Sequence, residues 1–153
     1  MISAQRVRMA AFQMLYGLDA NGAADAPDEN LLETLRSSVL DESENLEPRE
    51  LRQAEKLAIA AYAGRREGDA IFEQLSPAWP VSRQPAVDRA ILRLAYYEMA
   101  SGKAPKKVAI DEAVELARRF STEKSPAFVN ALLDAAMRKL DGAAVEPVEP
   151  NAC

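Results

Sequence analysis

The chain has 153 residues, of which 48% are hydrophobic and 28% charged, and carries a formal net charge of −5. This is enough chain for one domain with its own core, and the composition is that of an ordinary soluble globular protein. Histidine is absent and Cys153 is the only cysteine, which excludes Ser-His and Cys-His nucleophile pairs, histidine-containing or four-cysteine zinc sites, and an intrachain disulfide. The six glycines are scattered and form no phosphate-binding GxGxxG or GxxxxGK loop. No apolar run approaches the ~20 residues that span a bilayer, and the start, MISAQRVRMAAF, lacks the continuous apolar segment of a secretory leader. These features predict a cytoplasmic, noncatalytic protein with no cofactor, metal or membrane.

Ser3 can cap a first helix running to about Ala20, with Val7, Ala11, Met14, Leu15 and Leu18 as its buried stripe. Asn21-Gly22 ends it. Pro27 and Asp28 start a second helix through about Leu40, with Leu31, Leu32, Leu35 and Val39 inward, and residues 41–47 form an acidic connection. Pro48 suits the first turn of a third helix, whose inner face is Leu51, Ala54, Leu57, Ala58, Ala61 and Tyr62; Gly64 and Gly68 are expected to break or bend it before Ile71, Phe72 and Leu75. SPAWP, residues 76–80, reads as a turn in which Trp79 is a core plug sooner than a stacking platform. A helix from Ala86 follows, ended by Ser101-Gly102, with Val87, Ile91, Leu94 and Ala95 on one stripe, Leu92 and Met99 beside it, and Asp88, Arg89 and Arg93 on the opposite edge. Pro105 opens the next helix, with Ala109, Ala113, Leu116, Ala117 and Phe120 inward. Ser125-Pro126 is a cap followed by proline at the first helical position, and Val129, Leu132, Leu133, Ala136 and Leu140 form the last stripe before Gly142. No strand pattern competes. The expected fold is all-α, a single-domain compact bundle of six or seven helices over residues 1–142, followed by an acidic, proline-spaced tail over 143–153 that reads as disordered.

The charge is unevenly spread. Residues 22–56 hold ten acidic and four basic side chains, net −6, whereas residues 80–140 hold seven and eleven, net +4. Local potential steers binding more than total charge does, so a basic face can exist on this acidic chain. Lys106 and Lys107 lie in the first turn of a helix, where the dipole disfavours cations, which points either to phosphate contact or to neutralising partners. Arg118, Arg119 and Lys124 flank the turn before the last helix, and Phe128 follows where an aromatic ring could stack on a splayed base, although such a ring more often packs inward. Arg6 and Arg8 lie at the edge of the first helix, with Gln13 and Tyr16; arginine forks there suit phosphates and base edges, although two arginines alone more often mark a solvated helix edge. Asn130 interrupts an apolar helix and reads as structural. Most carboxylates read as solvated charge.

Four ordered segments carry a more specific signal. RVRMAAFQMLY resembles the first-helix wording R-x-A-R-x-x-A-x-Q-x-L-Y of the NusB family of bacterial antitermination factors; VDRAILRLAYYE and PKKVAIDEAVELARRF are close to later helices of that family, and FVNALLD is similar to its FVNGVLD. The resemblance covers about residues 4–140. It departs from the family pattern in an amino-terminal arm, Met1 to Gln5, without arginine, and at Lys124, where an acidic residue can occur. Ala131 replaces the glycine of FVNG, and Gln84 stands where an apolar residue commonly follows.

The resemblance implies an all-helical fold that binds boxA RNA of ribosomal-RNA transcripts together with NusE, a small-subunit ribosomal protein. With other Nus factors on RNA polymerase, it suppresses termination. It further implies Arg6, Arg8, Lys106, Lys107, Lys124 and Phe128 as RNA-facing residues, and Tyr16 and Asp88 as positions of the NusE contact. Homodimers occur in the family, so a self-associating helical module is the alternative. A similar domain fronts some ribosomal-RNA cytosine methyltransferases, but those need a Rossmann-like domain and a catalytic cysteine, and Cys153 stands at the end of this chain.

Overall fold

A computed structural model of the chain describes residues 2–43 and 45–149; Met1, Cys153 and the end of the acidic tail lie outside the described residues. Ser3 caps α1 (Ala4–Ala20) as expected, its hydroxyl accepting the Arg6 N–H at 3.3 Å. Asp28 caps α2 (Glu29–Glu42), accepting the Asn30 N–H at 2.6 Å. After α3 (Pro48–Ala63), Gly64 separates α4 (Arg65–Leu75), and a 3-10 turn (Val81–Arg83) leads into α5 (Ala86–Ser101), α6 (Lys106–Phe120) and α7 (Ser125–Leu140). The described residues are thus all-α, with seven α-helices and no strand. None of these helices is long and apolar enough to cross a membrane.

The chain divides into two compact units, Met1–Ala63 and Gly64–Cys153. In the first, α1 packs mainly on α3 and also on α2. The predicted α1 stripe is buried, with Ala10 and Phe12 added to it. Of the predicted inner positions on α2 and α3, Leu32, Leu35, Val39, Ala54, Ala58, Ala61 and Tyr62 are buried, whereas Leu31, Leu51 and Leu57 are half-buried. Tyr62 donates its hydroxyl to Ala23 O at 2.6 Å, tying the end of α3 to the loop after α1.

In the second unit α5 packs against α4, α6 and α7. Residues 90–96 are all buried, as are Glu98 and Met99. A helix enclosed on three sides has no room for a charged outer edge. The expected outward projection of Asp88 and Arg93 is therefore corrected: Asp88 is 3% and Arg93 8% exposed. Arg93 compensates its burial through two hydrogen bonds to the Asp69 carboxylate, at 3.0 and 2.7 Å. Gly68 does not break the chain but lies inside α4, where a Cβ would sit 2.8 Å from Cδ1 of Tyr96. That ring meets Phe72 edge to face, with centroids 5.8 Å apart. The missing side chain is what lets α4 lie against α5. Trp79 is half-buried beside its turn, and Gln84 is buried and donates Nε2 to Trp79 O at 3.0 Å. Residues 143–149 carry no regular secondary structure, and Val148 donates its N–H to Leu75 O.

Candidate nucleic-acid interface

Arg6, Arg8 and Tyr16 belong to the first unit; Asp88, Lys106, Lys107, Lys124 and Phe128 belong to the second. Arg6 is half-exposed, and its guanidinium is held by Glu50: Nε lies 3.1 Å from both carboxylate oxygens and Nη2 lies 3.0 Å from Oε2. Glu50 is wholly inaccessible, and it also accepts the N–H groups of Ser3 and Glu47 at 2.7 and 3.0 Å. The Arg6 guanidinium, followed by the Glu47 and Ser3 N–H groups, holds the Glu50 carboxyl down at about 2. Favouring of the charged form by donors is the cause. Arg6 therefore pins the start of α1 to the start of α3, and only its outer edge faces solvent. Arg8 is half-buried and itself engaged. Tyr16 is 41% exposed, one turn beyond Gln13, whose Nε2 donates to Glu42 Oε2 at 3.3 Å.

On α6, the two lysines of the first turn differ. Lys106 Nζ lies 2.8 Å from Asp141 Oδ1 at the end of α7, so the neutralising partner that the helix dipole calls for is present. Lys107 is exposed, as is Lys103 just before the helix. Lys124 is exposed at the N-cap of α7. It follows the far end of the 15-residue α6, a helix about 22 Å long at 1.5 Å per residue, with Lys106 in its first turn. The structure does not bring these lysines to one point.

Two predicted contacts are corrected. Phe128 is 7% exposed: it packs inward on the same apolar side of α7 as Leu132, and no face is open for stacking on a base. Phe120, expected inward, is instead 38% exposed, with the Arg119 guanidinium 5.3 Å from its ring centroid. Asp88 does not face a partner either. Its Oδ1 accepts the Ser121 hydroxyl at 2.5 Å and its Oδ2 accepts the Ser125 hydroxyl at 2.9 Å. Ser125 is therefore not the cap of α7: its side chain is buried and turned to Asp88, with Thr122 Oγ1 2.9 Å away. Asp88 fastens the α6–α7 turn to the start of α5.

Outside that turn, α6 and α7 border an open groove of about 910 Å³ that includes Val114, Arg118, Pro126 and Asn130. Asn130 is exposed there, so its place in an apolar helix reflects an outward position rather than a structural bridge. The pattern that could have found it is its offset from the Val129–Leu132–Leu133 stripe. Glu50, Asp88 and Glu98 are the buried carboxylates that sequence reasoning assigned to solvent; nothing in their spacing distinguishes them. Among the described residues, no group of three or more acidic, cysteine or histidine side chains could hold a metal ion.

Comparison with known proteins agrees with this architecture. The family model described as the NusB family matches residues 5–138. The transcription antitermination protein NusB of Symbiobacterium thermophilum is 38% identical over 146 residues, covering 94% of each chain. That of Solibacter usitatus is 38% identical over 153 residues, covering 99% of this chain and 95% of its own. Among solved structures, T. maritima NusB superposes with a TM-score of 0.74 at 30% identity, over 91% of this chain and 94% of that one. A chain from a crystal structure of antitermination factors NusB and NusE in complex with double-stranded RNA superposes with a TM-score of 0.71 at 26% identity, over 88% and 96%. With the same helices in the same order along nearly its whole length, the chain belongs to the NusB family.

Proposed function

We propose that this protein is a cytoplasmic transcription antitermination factor that binds boxA RNA of ribosomal-RNA transcripts jointly with NusE and, with other Nus factors, suppresses termination by RNA polymerase. The observation that carries this reading is its near full-length similarity to transcription antitermination proteins. The fold shared with the NusB–NusE–RNA complex supports it. The protein acts by holding RNA rather than by reacting with it. Exposed Lys107 and Lys124 supply phosphate contacts. Arg6 contributes the outer edge of a guanidinium already fixed by Glu50, and Arg8 on α1 and Lys106 at the start of α6 add further cations. Tyr16, the exposed aromatic of α1, serves the NusE contact. Phe128 and Asp88 act from within by shaping the α6–α7 turn that presents Lys124. Two moderate affinities joined in one complex give a tighter assembly than either alone.

Fluorescence anisotropy with a boxA-like single strand and a scrambled control, each with and without NusE, tests the reading. Selective binding that tightens with NusE is expected. K107E with K124E should weaken RNA binding and reduce its salt slope by about 1.4, at about 0.7 per phosphate contact for single strands. Tyr16→Ala should weaken the gain from NusE while sparing NusE-independent binding. Equal, weak binding to both strands in every condition overturns the proposal and favours a self-associating module, which a mass measurement would reveal.

A further inference from the structure

Lys106 and Asp141 each occupy the wrong end of a helix. Lys106 is in the first turn of α6, which contains no acidic residue to offset it. Asp141 is the C-cap of α7, where the helix dipole disfavours an anion. Their ion pair at 2.8 Å cancels both faults at once. Other cations are close in sequence to the pair: Lys103 and Lys107 to Lys106, and Arg138 and Lys139, in the last turn of α7, to Asp141. Asp134 already takes Arg138. The Asp141 carboxylate is presented by a stiff cap. Its own N–H bonds Met137 O at 3.0 Å, Gly142 follows with φ of 90°, and the Ala143 N–H bonds Arg138 O at 3.0 Å. None of these bonds uses the carboxylate.

We propose that Asp141 is an internal stand-in for RNA phosphate: it occupies Lys106 in the free protein, and RNA must displace it to use that lysine. Asp141 thereby sets the strength of RNA binding from outside the contact surface. This inference rests on the RNA-binding function proposed above. Lys106 and Asp141 are 36% and 54% exposed, and an ion pair so open to solvent is weak. It is therefore displaceable while still competing with phosphate.

The test is a double-mutant cycle read by single-strand RNA binding as a function of salt, with D141N, K106Q and the double variant. Asparagine keeps the shape of the cap, and melting curves check that each variant folds. Freeing one lysine for one phosphate should steepen the salt slope by about 0.7, which is about five-fold tighter binding at 0.1 M salt. In the K106Q background the same D141N change should yield less than about two-fold, since the cycle isolates the pair. An equal gain in both backgrounds would mean diffuse charge rather than occupation of Lys106, and no gain in either would likewise overturn the proposal. If the parent protein binds RNA and only the cycle fails, the stand-in role alone falls. If the parent does not bind RNA, the function proposed above falls with it.

Discussion

Replacing Asp88 with alanine tests whether a single buried carboxylate organises the surface that holds Lys124. The side chain is 3% exposed and accepts hydroxyls from Ser121 and Ser125, one on each oxygen. Hydrogen bonds to a charged group contribute roughly 1.5–3 kcal/mol each, but bonds to one acceptor are not additive. Relief of the carboxylate's own desolvation offsets part of the loss, so about 2–4 kcal/mol is expected for D88A. For a chain of this length that lowers Tm by about 5–15 °C. D88N keeps the shape and one acceptor, and hydroxyls can turn to accept from its amide, so it should lose less than half as much. Denaturant unfolding followed by circular dichroism measures both. Amide hydrogen exchange should show faster opening at residues 121–126 in D88A than in the parent, before any global change. RNA binding should fall in both variants in proportion to that opening, because Asp88 positions the turn without touching the ligand. If D88A matches the parent within 0.5 kcal/mol, the hydrogen bonds do not hold the turn. If D88A keeps its stability but fails only in NusE pairing, Asp88 is a surface contact and its assigned burial is wrong.

Glu50 makes stability depend on acid. Its carboxyl is held at about 2 when folded, below the ordinary carboxylate value, so its contribution is complete above the unfolded carboxyl's range and is lost as pH falls toward about 2. E50Q should therefore flatten the acid limb of a stability-versus-pH curve between about pH 4.5 and 2, and an unchanged limb would refute the assignment. Gly68→Ala gains up to about 1 kcal/mol of helix propensity but drives a Cβ to 2.8 Å from a Tyr96 ring already packed on Phe72. Overpacking costs about 1–3 kcal/mol, so net destabilisation is expected in thermal melts; a stabilised variant would show that α4 can move away from α5 freely.

The helices were legible because burial is periodic in the sequence. The α1 stripe, the Asp28 cap and the glycine between α3 and α4 all lie where local pattern and turn chemistry place them. The family wording of four segments carried the functional reading further than charge or spacing could, since net charge is −5 and argues against nucleic acid when taken alone. The candidate site was less legible. Local position suggests either stacking or inward packing for Phe128, and capping for Ser125. Which side of a short turn is covered depends on the helices packed behind it, and one residue of offset decides between Phe120 outward and Phe128 inward.

The sequence by itself determined that the chain is helical, where most helices begin and end, and which family it joins. Those properties follow from hydrophobic period, caps and residue order, all local along the chain. Only the tertiary structure decided which charges are free to act. Glu50, Asp88 and Arg93 look like surface charge in sequence, yet are buried and hydrogen-bonded to residues up to 47 positions away. Lys106 looks like an open cation, yet meets Asp141 at a sequence distance of 35. Desolvation and hydrogen bonding depend on distance in space, so whether a charged residue binds a ligand or holds the fold is settled by packing.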